Sequence, residues 1–156
     1  MITTKNKLPK IKYPKIKVIQ SGLVNLKFYN DFPDGNLFIA EALHNIPFTM
    51  KRVYFINHLF NAEATRGLHA HKKLEQIIFC INGSFRLSLD DGKNKQSFKM
   101  DSPYYGVRLG PRLWHSMNDF SYDCVILVLA SDYYKESDYL KNYKQFKKYV
   151  KQFSIK

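Results

Sequence analysis

The densest concentration of chemistry-bearing side chains is the run Arg66-Gly67-Leu68-His69-Ala70-His71-Lys72-Lys73-Leu74-Glu75-Gln76. Histidines at i and i+2 on an extended segment point to one face, because successive strand side chains alternate. One face of a small β-barrel is its interior, so His69 and His71 should line a cavity. Imidazole, with an unperturbed pKa of about 6.5, is suited to take and return a proton near neutral pH. A second run, Gly110-Pro111-Arg112-Leu113-Trp114-His115-Ser116-Met117, begins a strand after a proline and carries the single tryptophan beside another histidine. Trp114 taken alone reads as core packing. Beside His115 it reads as a residue at the mouth of the same cavity, with His115 completing a three-histidine site.

The elements that must position these residues are mostly short strands. Pro33-Asp34-Gly35-Asn36 is a turn signal ahead of the apolar run Leu37-Phe38-Ile39-Ala40, and Arg52-Val53-Tyr54-Phe55-Ile56 reads as the next strand after Pro47. Gln76 to Ile81 follows, then the turn Asn82-Gly83, the alternating run Phe85 to Leu89 and the hairpin signal Asp91-Gly92. Further strands are expected over residues 97–100, 105–109 and 124–130. Strands at this spacing predict a mainly β fold, a sandwich or small barrel, and not alternating β and α units. Near the end the period changes. Tyr139, Tyr143, Phe146, Val150 and Phe153 form one apolar stripe, predicting an amphipathic C-terminal helix over 136–153 that packs on the sheet or on a neighbouring subunit.

Charge sorts the possible partners. The 156-residue chain has a formal net charge of +12, from 25 Lys+Arg against 13 Asp+Glu. Residues 1–17 carry six lysines and no acid, and 135–156 carry seven against Glu136 and Asp138, so the ends supply 6 + (7 − 2) = 11 of the excess. The segment 18–134 is nearly neutral. That distribution argues against nucleic acid as the partner, because a nucleic-acid fold sets basic residues on its contact face. No apolar run approaches the roughly 20 residues that span a bilayer, and no apolar leader opens the chain, so no membrane partner and a cytoplasmic location are expected. Cys80 and Cys124 stand alone in apolar stretches and read as reduced, buried thiols. The expected organisation is a basic N-terminal extension, 1–17, followed by a single domain over 18–156.

Two wider patterns include the histidine run. His69-x-His71, three residues, Glu75 and a later histidine is the spacing of metal-binding cupins, although Leu113 stands where that pattern has glycine. More of the chain resembles the sugar 3,4-ketoisomerases, cupin-fold enzymes acting on dTDP-4-keto-6-deoxyglucose. The residues that carry this are Ile46-Pro47-Phe48, Lys51 to Phe55, Arg66 to Gln76, Asn82-Gly83-Ser84, Gly110 to His115, Leu129 to Tyr134 and Asp138-Tyr139-Leu140, in order over about residues 35–150. The lysine-rich 1–17 lies outside it, and Asp34 stands where the family often has arginine.

The resemblance implies a cupin-type small β-barrel or jelly roll and an isomerisation without metal or cofactor that moves the keto group from C4 to C3. A C3 hydrogen is acidic because it lies α to the C4 carbonyl, and its loss gives an enediol that is reprotonated at C4. His69 and His71 are then the candidates for the proton shuttle, with His69 the favoured base, and Tyr54 and His115 polarise the sugar oxygens or help deliver the proton. Arg52 and Arg66 are candidates for the diphosphate. Glu75, Trp114 and Tyr105 complete the proposed substrate-binding set, with Tyr104 or Tyr105 as a thymine platform. A homodimer with exchanged or paired N-terminal strands is implied, as is a product used by an aminotransferase to make a 3-amino-3,6-dideoxyhexose for a glycan such as O-antigen or S-layer. His115 after the tryptophan leans towards a galacto-configured product. The alternatives are a cupin nucleotide-sugar epimerase, a metal-dependent cupin using His69, His71, Glu75 and His115, and a non-enzymatic polyanion-binding module.

Overall fold

Alternating burial explains most of the strands. In Phe85–Asp90 (β7) the side chains of Phe85, Leu87 and Leu89 are buried while Arg86 is exposed and Ser88 half-buried, the period-2 pattern of a sheet with one wet face. Gln76–Asn82 (β6) is different: it lies centrally and is apolar on both faces, Ile78 and Cys80 joining one cluster and Ile77 and Phe79 another. The structure is a computed structural model and describes residues 10–153.

The remaining strands are Ser21–Asn25 (β1), Lys27–Asn30 (β2), Asn36–Ile39 (β3), Arg52–Ile56 (β4), Arg66–His71 (β5), Lys95–Met100 (β8), Tyr105–Leu109 (β9), Trp114–Asn118 (β10), Val125–Ala130 (β11) and Tyr139–Leu140 (β12). They form two five-stranded antiparallel sheets, ordered β1-β9-β6-β11-β4 and β12-β5-β10-β7-β8, with β2 and β3 as a separate hairpin. The main core takes Ile78, Val107, Ile126 and Val128 from the first sheet and Phe85, Leu87, Leu89 and Met117 from the second. Two sheets face one another across it, as the jelly-roll expectation requires.

Two expected boundaries shift. The helix α1 is Tyr143–Lys151, shorter than the expected 136–153. Asn142 caps it by accepting from the Gln145 N–H at 3.0 Å. Upstream, Glu136–Asp138 is a single 3-10 turn and Tyr139–Leu140 pairs with His71 and Ala70 of β5. Asp138 holds this turn in place by accepting from the backbone N–H groups of Lys73 and Leu74 at 2.9 and 3.3 Å. A nine-residue helix is marginal alone. Full burial of Phe146 and near-full burial of Val150, worth about 1.5–3 kcal/mol each, docks it against Ala70 and Leu140.

The second shift concerns the basic extension. Residues 1–9 lie outside the described residues. Ile11 and Ile16 pack on the main core, Tyr13 meets Tyr105 at 5.4 Å, and the Lys17 N–H donates to Gln96 Oε1 at 2.8 Å. Residues 10–17 therefore lie against the domain, their isoleucines inward and their lysines exposed.

Candidate active site

An irregularity in β5 sets the geometry. His69 pairs with His115 of β10, but the next pair is Gly67 with Ser116, so Leu68 is an extra residue in β5. Gly67 and Leu68 both have positive φ, 82° and 54°, the conformation a bulge uses to re-aim the chain. A Cβ on Gly67 would stand 2.9 Å from the His115 carbonyl oxygen and 3.2 Å from Ser116 Cα. Glycine is needed here twice, for its φ and for this approach.

The bulge brings three imidazoles together. Ring centroids are 4.5 Å apart for His69 and His115, 4.9 Å for His69 and His71, and 6.3 Å for His71 and His115. Tyr139 of β12 packs against the pair at 4.8 and 4.4 Å. His69 Nδ1 is 2.8 Å from the Gly67 carbonyl, which requires the proton on Nδ1 and turns the Nε2 lone pair outward. His71 Nδ1 lies 3.1 Å from Asp138 Oδ2, the arrangement that orients an imidazole base.

Burial keeps these rings neutral. Desolvation lowers the pKa of His69; it lowers His71 to about 4, with His69 and Arg52 adding to the effect and Asp138 opposing it. His115, 2% exposed, is held well below the usual imidazole range by burial and then by its two neighbours. The Tyr54 hydroxyl is pushed up to about 12, chiefly by burial, and stays a protonated donor. At neutral pH the site thus offers unprotonated imidazoles to accept a proton and a phenol to donate a hydrogen bond.

His69, His115 and Tyr54 line a cavity of about 410 Å³ that opens between the two sheets, together with Arg52 from β4, Arg66 from β5 and Gln76 from β6. Arg52 lies over the rings of Tyr54 and Tyr134, at 5.3 and 5.9 Å. An adjoining cavity of about 480 Å³ shares Arg52 and Tyr139 and has His71 on its wall, among Lys51, Lys72, Lys73 and Lys135.

His69, His115, Tyr54, Arg52 and Arg66 share the first cavity and His71 lines the adjoining one, whereas three other expected residues line neither. Glu75 precedes inward-facing Gln76 and turns to the outer face, where Arg108 donates to its Oε2 from Nε at 2.8 Å and from Nη2 at 2.5 Å. The ligand set His69, His71, Glu75 and His115 is accordingly not assembled. Trp114 is a strand neighbour of inward-facing His115 and faces outward, against Tyr143 and Phe146 of α1 at 5.2 and 5.5 Å. Tyr105 is fully buried in the main core, and Tyr104 packs on Phe28 and Phe38 of the β2–β3 hairpin.

Four lining or orienting residues were given no site role in the sequence reading. Tyr134, Asp138 and Tyr139 sit in the segment assigned to the helix or just before it. Gln76 carries a signal that alternation offers, a polar residue heading a buried apolar run. It is 2% exposed, its Oε1 accepts from the Tyr54 hydroxyl at 3.2 Å, and its Nε2 lies 3.3 Å from His115 Nε2.

Two antiparallel sheets that face one another across a cavity lined by imidazoles and a phenol define a cupin-type fold. Similarity to known proteins narrows this. Residues 19–151 match the family described as FdtA, WxcM-like, C-terminal. The chain is 48% identical over 137 residues, 88% of its length and 97% of the relative's, to a TDP-4-oxo-6-deoxy-alpha-D-glucose-3,4-oxoisomerase of Aneurinibacillus thermoaerophilus. A histidine-to-asparagine mutant of the 3,4-ketoisomerase QdtA from Thermoanaerobacterium thermosaccharolyticum, in complex with TDP-4-keto-6-deoxyglucose, matches with a TM-score of 0.85 at 36% identity, covering 90% of this chain and 100% of that one. A 3,4-ketoisomerase from Helicobacter canadensis matches at 0.80 and 38%, covering 84% and 97%. The chain belongs to this family of sugar 3,4-ketoisomerases.

Proposed function

We propose that the protein converts dTDP-4-keto-6-deoxyglucose to its 3-keto isomer through an enediol, using its own side chains for every proton transfer. The observation that carries this reading is the cavity in which His69, with Nδ1 anchored on the Gly67 carbonyl, faces the same space as the Tyr54 hydroxyl. His69 Nε2 removes the C3 proton, and the C3–H electron pair becomes the C3–C4 double bond while the C4 carbonyl oxygen takes up negative charge. Tyr54 donates a hydrogen bond to that oxygen, which becomes the C4 hydroxyl as the C3 hydroxyl loses its proton. Return of a proton to C4 completes the keto group at C3, with no net change in atoms or electrons. His71, oriented by Asp138, is the second member of the shuttle. Arg52 and Arg66 at the cavity wall supply positive charge for the diphosphate.

The working unit is a homodimer. On the outer face of the first sheet two apolar rows run in register across three strands, Val53–Leu129–Ile77 and Phe55–Leu127–Phe79. The inner ends pack with Ile46, Phe48 and Met50, whereas Val53 and Phe55 on edge strand β4 are 58% and 65% exposed. A second copy of the chain covers such an edge. NMR of the product, reading keto position and C4 configuration, tests the activity. His69→Asn is expected to lower kcat by at least about 10²-fold; full activity in that variant overturns the assignment of the base.

A further inference from the structure

Gln76 is a buried amide that reaches across the cavity. Its strand, β6, belongs to the first sheet together with β4, which carries Tyr54, whereas His115 stands on β10 of the opposite sheet. Its oxygen accepts from the Tyr54 hydroxyl and its nitrogen faces His115 Nε2, so one side chain joins groups from both walls. An amide is a donor at one end and an acceptor at the other. With the oxygen engaged by a phenolic O–H, the NH2 group must donate to His115, and Nε2 must be the unprotonated nitrogen. The ring proton then sits on Nδ1, which is buried without a side-chain partner and approaches the Leu113 carbonyl without closing a hydrogen bond of good geometry.

We propose that Gln76 is a positioning residue of the isomerase: its amide holds His115 as the Nδ1–H tautomer and holds the Tyr54 hydroxyl at the cavity wall, ready for the sugar oxygen. This rests on the function proposed above. The Tyr54 hydroxyl donates to the neutral amide oxygen of Gln76. A C4 oxygen gaining negative charge is the stronger acceptor, since hydrogen bonds to an ionised partner are roughly twice as strong. The hydroxyl therefore turns from Gln76 to the sugar as the enediolate forms, so its contribution is larger in the transition state than in the ground state. His115, with Nε2 engaged and its proton turned away from the amide, supports the edge of the His69 ring and carries no proton to the substrate. The carboxamide, and not merely a side chain of that size, is what the arrangement needs.

Histidine tautomers are read directly from ring ¹⁵N shifts and their couplings to ring protons. The wild-type protein at neutral pH is expected to show His115 with Nδ1 protonated and Nε2 bare. Gln76→Glu offers only acceptor atoms to His115, so its Nε2 is expected to become protonated. Gln76→Met, which keeps the bulk and removes both hydrogen bonds, is expected to lower kcat for dTDP-4-keto-6-deoxyglucose by about 10²-fold with KM changed far less. A wild-type His115 protonated on Nε2 overturns the proposal whatever the activity. So does Gln76→Met with wild-type kcat. A wild-type protein of the expected tautomer that leaves this sugar unchanged strikes the function itself, and the proposal with it, which separates the two failures.

Discussion

At the scale of single residues, the neutrality of the buried imidazoles has a consequence for stability. In the unfolded chain a histidine titrates near 6.5, whereas burial in the folded protein holds His71 down to about 4 and lowers His69 and His115 in the same sense. Between those values the unfolded state binds the extra protons, so stability is lost as pH falls from about 6.5 towards 4 and the loss levels off below the folded value. Calorimetry is expected to give a flat Tm above pH 7 and a falling one between pH 6.5 and 4.5. The fall should be smaller in His71→Asn. A Tm that holds or rises on acidification contradicts burial of neutral rings. Residue types and spacing pointed to His69 and His71 because an i, i+2 pair depends only on local alternation, and to His115 because it stands beside the single tryptophan in a strand begun after Pro111. Gln76 and Asp138 were not legible as site residues, since their partners lie 22, 39 and 67 positions away and their roles arise only from how the sheets register.

At the scale of elements, the β5 bulge is what aligns the histidines. Gly67→Ala places a methyl group 2.9 Å from the His115 backbone oxygen at a φ of 82°, so β5 and β10 must separate there. The expected result is a stability loss of about 1–3 kcal/mol in denaturant titration and a disproportionate fall in kcat, as His69 moves relative to Tyr54. Unchanged kinetics would mean that the bulge has no part in aligning the site. Most strands were readable from alternation and turn residues, Phe85 to Asp90 most plainly. The bulge was not: Gly67 permits an extra residue, but which residue is extra follows only from the register of β5 against β10. Tyr139 misled for a related reason: its four-residue spacing from Tyr143 imitates a helix stripe, while its pairing with His71 makes it a strand residue.

At the scale of the molecule, charge and apolar surface are divided between different regions. The +12 excess belongs mainly to the chain ends, and the described part of the basic lead lies on the domain through Ile11, Ile16 and Tyr13. In the proposed dimer the exposed apolar surface of β4 is the contact, and Phe55→Asp would place a charge within it. Light scattering after size exclusion is expected to give a dimer for the wild type and a monomer for the variant. A monomeric wild type overturns the assembly.

The pairing of β12 with β5 also sets an order in time. Asp138, which orients His71, is synthesised 67 residues after it, a delay of about 3–13 s at ordinary elongation rates. Asp138 and Tyr139 follow every strand of both sheets except β12 in chain order. A chain truncated before residue 138 would keep every strand of the two sheets except β12 and would leave His71 without its carboxylate partner.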